Sequence, residues 1–399
     1  MGLALLIIPM MFRYKNYLLT LILSGSFIYS FSQYSIQLRI ISFPPSHITE
    51  DVFVAGNFNQ WDPGNEQYKF MRTGDTFFIN ITGLKKDIYE FKFTRGKWSN
   101  VEVSVTGGLI QNRFIKLASD TIVTYSIDGW ADDFSQPVKK HTASKNVQLL
   151  DSSFFMPQLL RKRRLWVYLP PAYGSGKQKY PVIYMNDGQN LFDDYTSGYG
   201  EWGIDELMDS LVRQGKPASI IVGIDNGEKR MNEYNPYSHK DFGKGEGDQY
   251  LLFIIETLKP FIDKKYRTLS SKENTIIAGS SMGGLISYYA ALKYPKVFGK
   301  AGIFSPSISI GPEIKQLTDS LGEKLKGQLF FYAGVKEGES MVSDMQEICE
   351  KLGQDSRSLI YSVTDPDGKH NEQYWHKWFT EFYLWIMGTG LSYQINTDN

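Results

Sequence analysis

The chain has 399 residues, a length that suits two domains preceded by an export segment rather than one ordinary domain. Lysine plus arginine and aspartate plus glutamate both number 43, so the net charge is zero and nothing indicates a nucleic-acid partner. Cys349 is the only cysteine, which excludes an intrachain disulfide and a cysteine-based metal cluster.

Residues 1–32 have the pattern of a signal peptide. A basic start at Arg13 and Lys15 precedes the apolar run Tyr17–Phe31, and Ser30-Phe31-Ser32 supplies the small-x-small pattern of a cleavage site. The run is short for a membrane span, although an uncleaved anchor is the alternative. We therefore predict export to a periplasm or secretion, with no stable membrane span after cleavage.

Residues 33–130 have the pattern of short strands. Ile36, Leu38 and Ile40 alternate with polar residues, and similar alternation recurs around Phe77 and Phe91. Glycine, asparagine and proline separate these runs, and no stretch has the period of an amphipathic helix. A small β-sandwich domain is predicted here, followed by a polar linker over residues 131–150.

Residues 151–390 change to apolar strands that alternate with longer helical segments, ahead of a tail at 391–399. The predicted strands are Leu165–Leu169, Val182–Met185, Ile220–Ile224, Thr275–Ala278, Leu329–Ala333 and Leu359–Val363. The predicted helices are Ile204–Gln214, Tyr250–Tyr266, Leu285–Tyr294 and Glu372–Met387. Such alternation predicts a mostly parallel sheet with helices on both faces.

One segment carries the pattern of a catalytic serine. Gly279-x-Ser281-x-Gly283 lies between a predicted strand and a predicted helix, which is the context that a nucleophile elbow requires. The glycines leave room for a sharp turn, and the helix N-terminus directs N–H groups at the position where an oxyanion develops. Ser281 is therefore the candidate nucleophile.

A serine hydroxyl needs a general base, and in proteins with this elbow the base follows the serine in chain order. His370 and His376 are the only histidines after Ser281. His370 lies in a turn-rich loop between a strand and the final helix, whereas His376 lies within that helix and is assigned to packing or the surface. His370 is the candidate base.

The base must be oriented by an acid, which is expected after the strand Leu329–Ala333. The segment that follows this strand offers two carboxylates, Glu337 and Glu339, of which Glu337 is preferred. Asp365 and Asp367, close to His370 in sequence, are alternatives.

An oxyanion hole needs two converging N–H donors. The amide of Met282, directly after the nucleophile, is one candidate. The second is the backbone of Gln189, in the loop after the strand Val182–Met185, where Gly188 lets the chain turn. Further residues are predicted to line the pocket or brace the site: Asp187, Asn190, Trp202, Arg230 and Glu233.

From residue 151 onward the chain resembles an esterase family of α/β hydrolases that includes esterase D-like enzymes, enterochelin esterases and feruloyl or acetyl xylan esterases. The matching stretches are Tyr168–Tyr173, Tyr180–Asp193, Gly200–Asp205, Arg230–Tyr234, Gly279–Gly283, Gly334–Glu337 and His370–Trp375. The resemblance implies an α/β-hydrolase fold and a triad of Ser281, Glu337 and His370. Lys369 departs from the family pattern, in which many relatives have glycine before the histidine.

The N-terminal domain resembles starch- and glycogen-binding modules in the stretches Val52–Pro63 and Phe91–Glu102. In those modules two tryptophans stack on glucose rings, and the resemblance places Trp61 and Trp98 at these positions. Flat aromatic faces suit the apolar C–H faces of sugars, so Trp61 and Trp98 are candidates for binding a glucan, while packing within a structural spacer module explains the same residues.

These features predict an exported serine carboxylic-ester hydrolase that forms an acyl-enzyme with a small-molecule or carbohydrate ester, such as an acetyl, feruloyl or siderophore ester. Acyl transfer to a sugar acceptor and a non-catalytic glycan-binding protein on a hydrolase scaffold are the alternatives. Scattered histidines and the lack of a phosphate-loop or dinucleotide motif predict neither a metal nor a cofactor.

Overall fold

A computed structural model describes residues 33–74, 76–108, 110, 112–134, 139–240 and 242–389. The predicted signal peptide, the tail at 391–399 and positions 135–138 of the predicted linker lie outside the described residues. The chain divides into two compact units between residues 134 and 135.

The first unit is built from β-strands. They are β1 (Tyr34–Ser42), β2 (Phe53–Gly56), β3 (Met71–Thr73), β4 (Thr76–Leu84), β5 (Asp87–Thr94), β6 (Glu102–Val103), β7 (Arg113–Leu117), β8 (Thr121–Ser126) and β9 (Gly129–Trp130). The larger sheets have the orders β3-β4-β1-β8 and β2-β5-β7, and β6 pairs with β9. The buried residues of the two larger sheets form one hydrophobic cluster, because alternate side chains such as Leu38 and Phe93 point inward.

The second unit contains one eight-stranded sheet. Its strands are β10 (Val147–Met156), β11 (Arg161–Tyr168), β12 (Val182–Asn186), β13 (Ile220–Ile224), β14 (Thr275–Ser280), β15 (Lys300–Phe304), β16 (Gln328–Gly334) and β17 (Leu359–Asp365). Their order is β10-β11-β13-β12-β14-β15-β16-β17. The pairs β10–β11 and β11–β13 are antiparallel and every later pair is parallel.

Helices cover both faces of this sheet. They are α1 (Ile204–Arg213), α2 (Arg230–Glu233), α3 (Gly247–Leu252), α4 (Lys259–Lys265), α5 (Met282–Lys293), α6 (Ile314–Leu321), α7 (Glu339–Asp355) and α8 (Glu372–Ile386), with a π-helical segment at Phe253–Leu258 between α3 and α4. Helices α1 and α8 pack into one hydrophobic cluster and α3 to α7 into the other. The predicted mostly parallel sheet with helices on both faces is confirmed.

The structure contains elements that the pattern did not reveal. Strand β10 begins at Val147, inside the segment predicted as linker. Its apolar pattern is weak because it is an edge strand that is largely exposed and interrupted by two register shifts. Strand β15 and helix α6 were also absent from the prediction; β15 begins with Lys300 and contains Gly302, which weakens its apolar pattern. Among the described residues, no helix is long and apolar enough to cross a bilayer.

Candidate active site

The carboxyl ends of five neighbouring parallel strands meet at one edge of the sheet, where functional groups gather in open α/β proteins. Asp187 follows β12, Ser281 follows β14 and Ser305 follows β15. Glu337 lies just after β16, and His370 lies between β17 and α8. Residues that are far apart in sequence therefore share one edge.

Ser281 occupies the sharp turn between β14 and α5. Its backbone angles, φ 58° and ψ −125°, lie in a region that is strained for any residue other than glycine, as in a nucleophile elbow. A Cβ at Gly279 would lie 2.8 Å from the carbonyl oxygen of Gly283, and one at Gly284 would lie 2.6 Å from that of Phe304. The glycines are required because backbone packs against backbone here.

Backbone and side-chain contacts hold Ser281 beside the end of β15. Its amide donates to the Phe304 carbonyl at 2.9 Å, and its carbonyl accepts from the Ser307 amide at 3.1 Å. The Ser281 and Ser307 hydroxyl oxygens are 3.1 Å apart and share a hydrogen bond. Ser307 carries no motif that would reveal this contact from the sequence.

Glu337 and His370 form a direct pair. The Nδ1 atom of His370 lies 2.8 Å from Oε2 of Glu337, whose side chain is fully buried. Oε1 of Glu337 accepts from the Gly334 amide at 2.8 Å and from the Ser305 hydroxyl at 2.9 Å, and Trp375 Nε1 donates to that hydroxyl at 2.9 Å. A fixed carboxylate on Nδ1 favours the neutral tautomer in which Nε2 can accept a proton.

The alternative acids have other partners. Asp365 accepts from Lys377 Nζ at 2.7 Å and from Trp378 Nε1 at 2.8 Å. Asp367 accepts from Lys336 Nζ at 2.7 Å and is exposed. The structure therefore brings Glu337, rather than either aspartate, to the histidine ring.

The segment predicted to supply the second oxyanion donor is a single turn of 3-10 helix at Gly188–Asn190. A Cβ at Gly188 would lie 2.7 Å from the backbone of β13, so only glycine fits. The Gln189 side chain accepts from the Asn226 amide at 3.0 Å, and its carbonyl accepts from the Thr196 hydroxyl at 2.8 Å. These bonds brace the turn.

Met282 is the first residue of α5 and is buried. The amides of the first helical turn lack intrahelical acceptors, so the Met282 N–H is able to donate to a substrate oxygen. The end of β12 and the start of α5 are close together: a Cβ at Gly283 would lie 3.1 Å from the Cβ of Asn186.

Asp187 and Arg230 form a two-bond ion pair. Both nitrogen–oxygen distances are 2.8 Å, and Asn226 Nδ2 donates to the same carboxylate at 2.7 Å. The guanidinium also lies over the Tyr234 ring, 5.2 Å from its centroid. Asp187 is buried and Arg230 is partly exposed, and the pair holds the backbone that leads into the Gly188–Asn190 turn.

Trp202 and Glu233 are both buried and have contacts with other side chains of this unit. Trp202 is buried, with its ring 5.5 Å from that of Trp375. Glu233 is fully buried and forms ion pairs of 2.9 Å with Arg161 and 2.5 Å with Arg163.

Asn190 connects the Gly188–Asn190 turn to the start of α8, because its Nδ2 donates to Oε1 of Glu372 at 3.2 Å. Burial raises the pKa of Glu372 to about 7, with Asp187 acting in the same direction and His370 and Arg230 opposing it. The sequence did not identify Glu372 as a site residue, because its contact with Asn190 joins residues 182 positions apart.

Two further groups of side chains could bind a ligand. Glu201, Asp205 and Glu206 place carboxylate oxygens within 4.8 Å of one another, an arrangement able to hold a cation. In the first unit, the Trp61 and Trp98 rings lie 6.3 Å apart at an angle of 36°, and Trp98 is exposed.

Comparisons with known proteins point to one family. A sequence profile of the family described as "Putative esterase" matches residues 157–386. The chain is 28% identical over 247 residues to the uncharacterized protein YbbA of Bacillus subtilis, a match that covers 58% of this chain and 94% of YbbA.

Two named enzymes are also similar. A protein of Xylanibacter ruminicola named endo-1,4-beta-xylanase/feruloyl esterase is 30% identical over 202 residues, which cover 50% of this chain and 26% of that protein. The solved structure of the siderophore hydrolase EstA from Aspergillus nidulans matches with a TM-score of 0.51 at 15% identity, covering 64% of this chain and 98% of the other. At this identity the structural likeness shows a shared fold.

Proposed function

Because the chain belongs to this esterase family, it is a carboxylic ester hydrolase, and we propose that it works through an acyl-enzyme formed on Ser281. The observation that carries the mechanism is the bond between buried Glu337 and Nδ1 of His370, at the sheet edge where Ser281 occupies its strained turn. The three residues have the chemical roles of an acid, a base and a nucleophile.

In the proposed reaction His370 takes the proton of Ser281 as the hydroxyl attacks the ester carbonyl. The amides of Met282 and Gln189 stabilise the tetrahedral oxyanion, and the protonated imidazole then gives its proton to the leaving alcohol. Water attacks the acyl-enzyme by the same route and releases the acid. Loss of one oxyanion donor is expected to raise the barrier by about 3 kcal/mol.

The test is the substitution Ser281→Ala, assayed with p-nitrophenyl acetate and with a fluorophosphonate that labels activated serines. We expect turnover and labelling to disappear, while Ser307→Ala, which removes only the hydroxyl partner of Ser281, should keep both. Activity of Ser281→Ala within about tenfold of wild type would contradict the assignment, since removing a triad nucleophile typically removes a factor of about 10⁶.

For the substrate, we propose a carbohydrate ester of an acetyl or feruloyl group, or a siderophore ester. Support comes from the name of the relative that combines xylanase and feruloyl esterase. A hydrolysis panel of acetylated xylan, feruloylated oligosaccharide and siderophore esters would separate these classes. Addition of acceptor sugars would reveal transfer products if the acyl-enzyme is captured by a hydroxyl group instead of water.

We also propose that the first unit binds a glucan through Trp61 and Trp98. The two rings are neighbours and Trp98 is exposed, as a stacking platform for sugar rings requires. Affinity electrophoresis in starch or glycogen should retard the wild type but not Trp98→Ala. Equal mobility of the two proteins in gels with and without glucan would contradict the proposal.

Export remains a proposal that rests on the sequence of residues 13–32. Expression of the full chain followed by N-terminal sequencing should give a mature protein that begins at Gln33. Recovery of an intact N-terminus in the cytoplasmic fraction would contradict it.

A further inference from the structure

Three carboxylates gather where the chain enters α1, and we call them the α1 carboxylate cluster: Glu201, Asp205 and Glu206. One oxygen from each lies within 4.8 Å of the others. Glu201 precedes the helix, and Asp205 and Glu206 belong to its first turn. Like charges at this separation repel unless a proton or a cation lies between them.

The cluster contains buried oxygens that lack hydrogen bonds. Asp205 is fully buried, and its Oδ1 has no hydrogen-bond partner; Oε1 of Glu201 is buried and lacks one too. The other oxygen of Asp205 accepts from the Ser144 amide at 2.6 Å, and that of Glu201 accepts from the Thr142 hydroxyl at 2.7 Å. Buried polar atoms without partners are rare in native proteins and call for a ligand or an ion.

The electrostatic surroundings favour positive charge. Burial raises the pKa of Glu201, and the carboxylates of Asp205, Asp193 and Asp194 raise it further. Burial also raises the pKa of Asp205 to about 7, with Glu206 acting in the same direction. A bound cation would remove this repulsion and satisfy both unpartnered oxygens.

We propose that the α1 carboxylate cluster binds a calcium ion. All candidate donors are oxygens, which hard divalent cations prefer, and Thr142 offers a hydroxyl oxygen beside them. The three oxygens lie within 4.8 Å of one another, so one ion with Ca–O distances of roughly 2.4 Å is able to reach all of them, and Ca²⁺ accepts irregular oxygen geometry more readily than Mg²⁺ does. Water molecules would complete the coordination.

The ion has a structural role, because backbone bonds connect the cluster to the Gly188–Asn190 turn. The Trp202 amide donates to the Asn190 carbonyl at 2.8 Å, and the Ile204 amide donates to the Leu191 carbonyl at 3.0 Å. Calcium would tie residues 142–144 to the start of α1 and thereby steady the turn that carries Gln189. It takes no part in the ester chemistry, so this proposal stands apart from the proposed mechanism.

The experiment uses the full chain after treatment with EDTA and gel filtration into metal-free buffer. We expect 1 mM CaCl₂ to raise Tm by about 5–10 °C if this concentration exceeds Kd a hundredfold. Tb³⁺ should bind with emission sensitised by Trp202, the neighbour of Glu201 in sequence, and Ca²⁺ should displace it. Magnesium should give a smaller shift in Tm.

Asp205→Asn changes a buried side chain, whereas Glu206→Gln changes an exposed one and should disturb folding less. Each substitution should reduce the Ca²⁺-dependent shift in Tm. The control is Asp319→Asn. Asp319 is an exposed carboxylate that pairs with Lys351 in the same unit. The proposal is overturned if Ca²⁺ leaves Tm unchanged, or if both cluster variants respond to Ca²⁺ and Tb³⁺ as the wild type does. A Tm that rises as pH falls through 7 but ignores Ca²⁺ would show a shared proton instead, and would also overturn it.

Discussion

Glu372 offers a direct test of how burial at the sheet edge acts on stability. Its carboxyl group is buried at the start of α8, and burial raises its pKa from 4.5 to about 7. The folded protein therefore prefers the neutral form, whereas the unfolded chain ionises near pH 4.5. Stability from this group is complete below pH 4.5 and is lost as pH rises through 7.

The difference of about 2.5 pKa units corresponds to about 3 kcal/mol in the free energy of unfolding above pH 8. The substitution Glu372→Gln removes the ionisation but keeps an oxygen that can accept from Nδ2 of Asn190. We expect the variant to match wild type at pH 4.5 and to be more stable at pH 8.5, by up to about 3 kcal/mol or roughly 6–12 °C in Tm.

The assay is urea unfolding, followed by tryptophan fluorescence, at pH 4.5, 6.5 and 8.5. Asp367→Asn is the control, because that carboxylate is exposed and lies in the loop that leads into α8; it should not reproduce the gain in stability at pH 8.5. A difference between Glu372→Gln and wild type that stays constant across these pH values would refute the reasoning, since ionisation would then contribute nothing.

The remaining predictions concern the triad and its turn. Glu337→Gln should lower kcat by about 10³–10⁴ by stabilising the wrong tautomer of His370, as measured with p-nitrophenyl acetate; an unchanged kcat would contradict the role of the acid. The kcat/KM of wild type should fall as pH drops through about 6–7, the ordinary range of histidine, and a flat profile from pH 5 to 8 would argue against a histidine base. Gly284→Ala should lower the free energy of unfolding by about 1–3 kcal/mol in urea titrations, because its Cβ would lie 2.6 Å from the Phe304 carbonyl; wild-type stability would contradict this.

Local sequence signals predicted the features that depend on local geometry. The turn at Ser281 needs glycines, a strand before it and a helix after it, and all of these lie in one continuous stretch, residues 275–293. His370 could be placed because the loop between the last strand and the last helix must end at the edge of a parallel sheet. The acid required a choice among four carboxylates, and the contacts of Glu337 distinguish it from Asp365 and Asp367.

Features that depend on long-range packing could not be predicted in the same way. Ser305 and Ser307 follow a strand that the pattern did not reveal, so neither could be connected with Glu337 or Ser281. The α1 carboxylate cluster accepts hydrogen bonds from Thr142 and Ser144, which lie in the segment predicted as linker. Such contacts depend on the order of strands in the sheet, which hydrophobic periodicity does not report.

The Glu337 carboxylate is held by several hydrogen-bond donors, so replacing any single one of them should disturb its position. Its carboxylate accepts hydrogen bonds from its own strand end at Gly334 and from Ser305 at the next strand end, and Ser305 accepts one from Trp375 of α8. Three separate elements thus hold a carboxylate that is fully buried, and removing any one donor leaves a buried charge less satisfied. Because the same α8 begins two residues after His370, the helix that helps to hold the acid also sets the loop that carries the base.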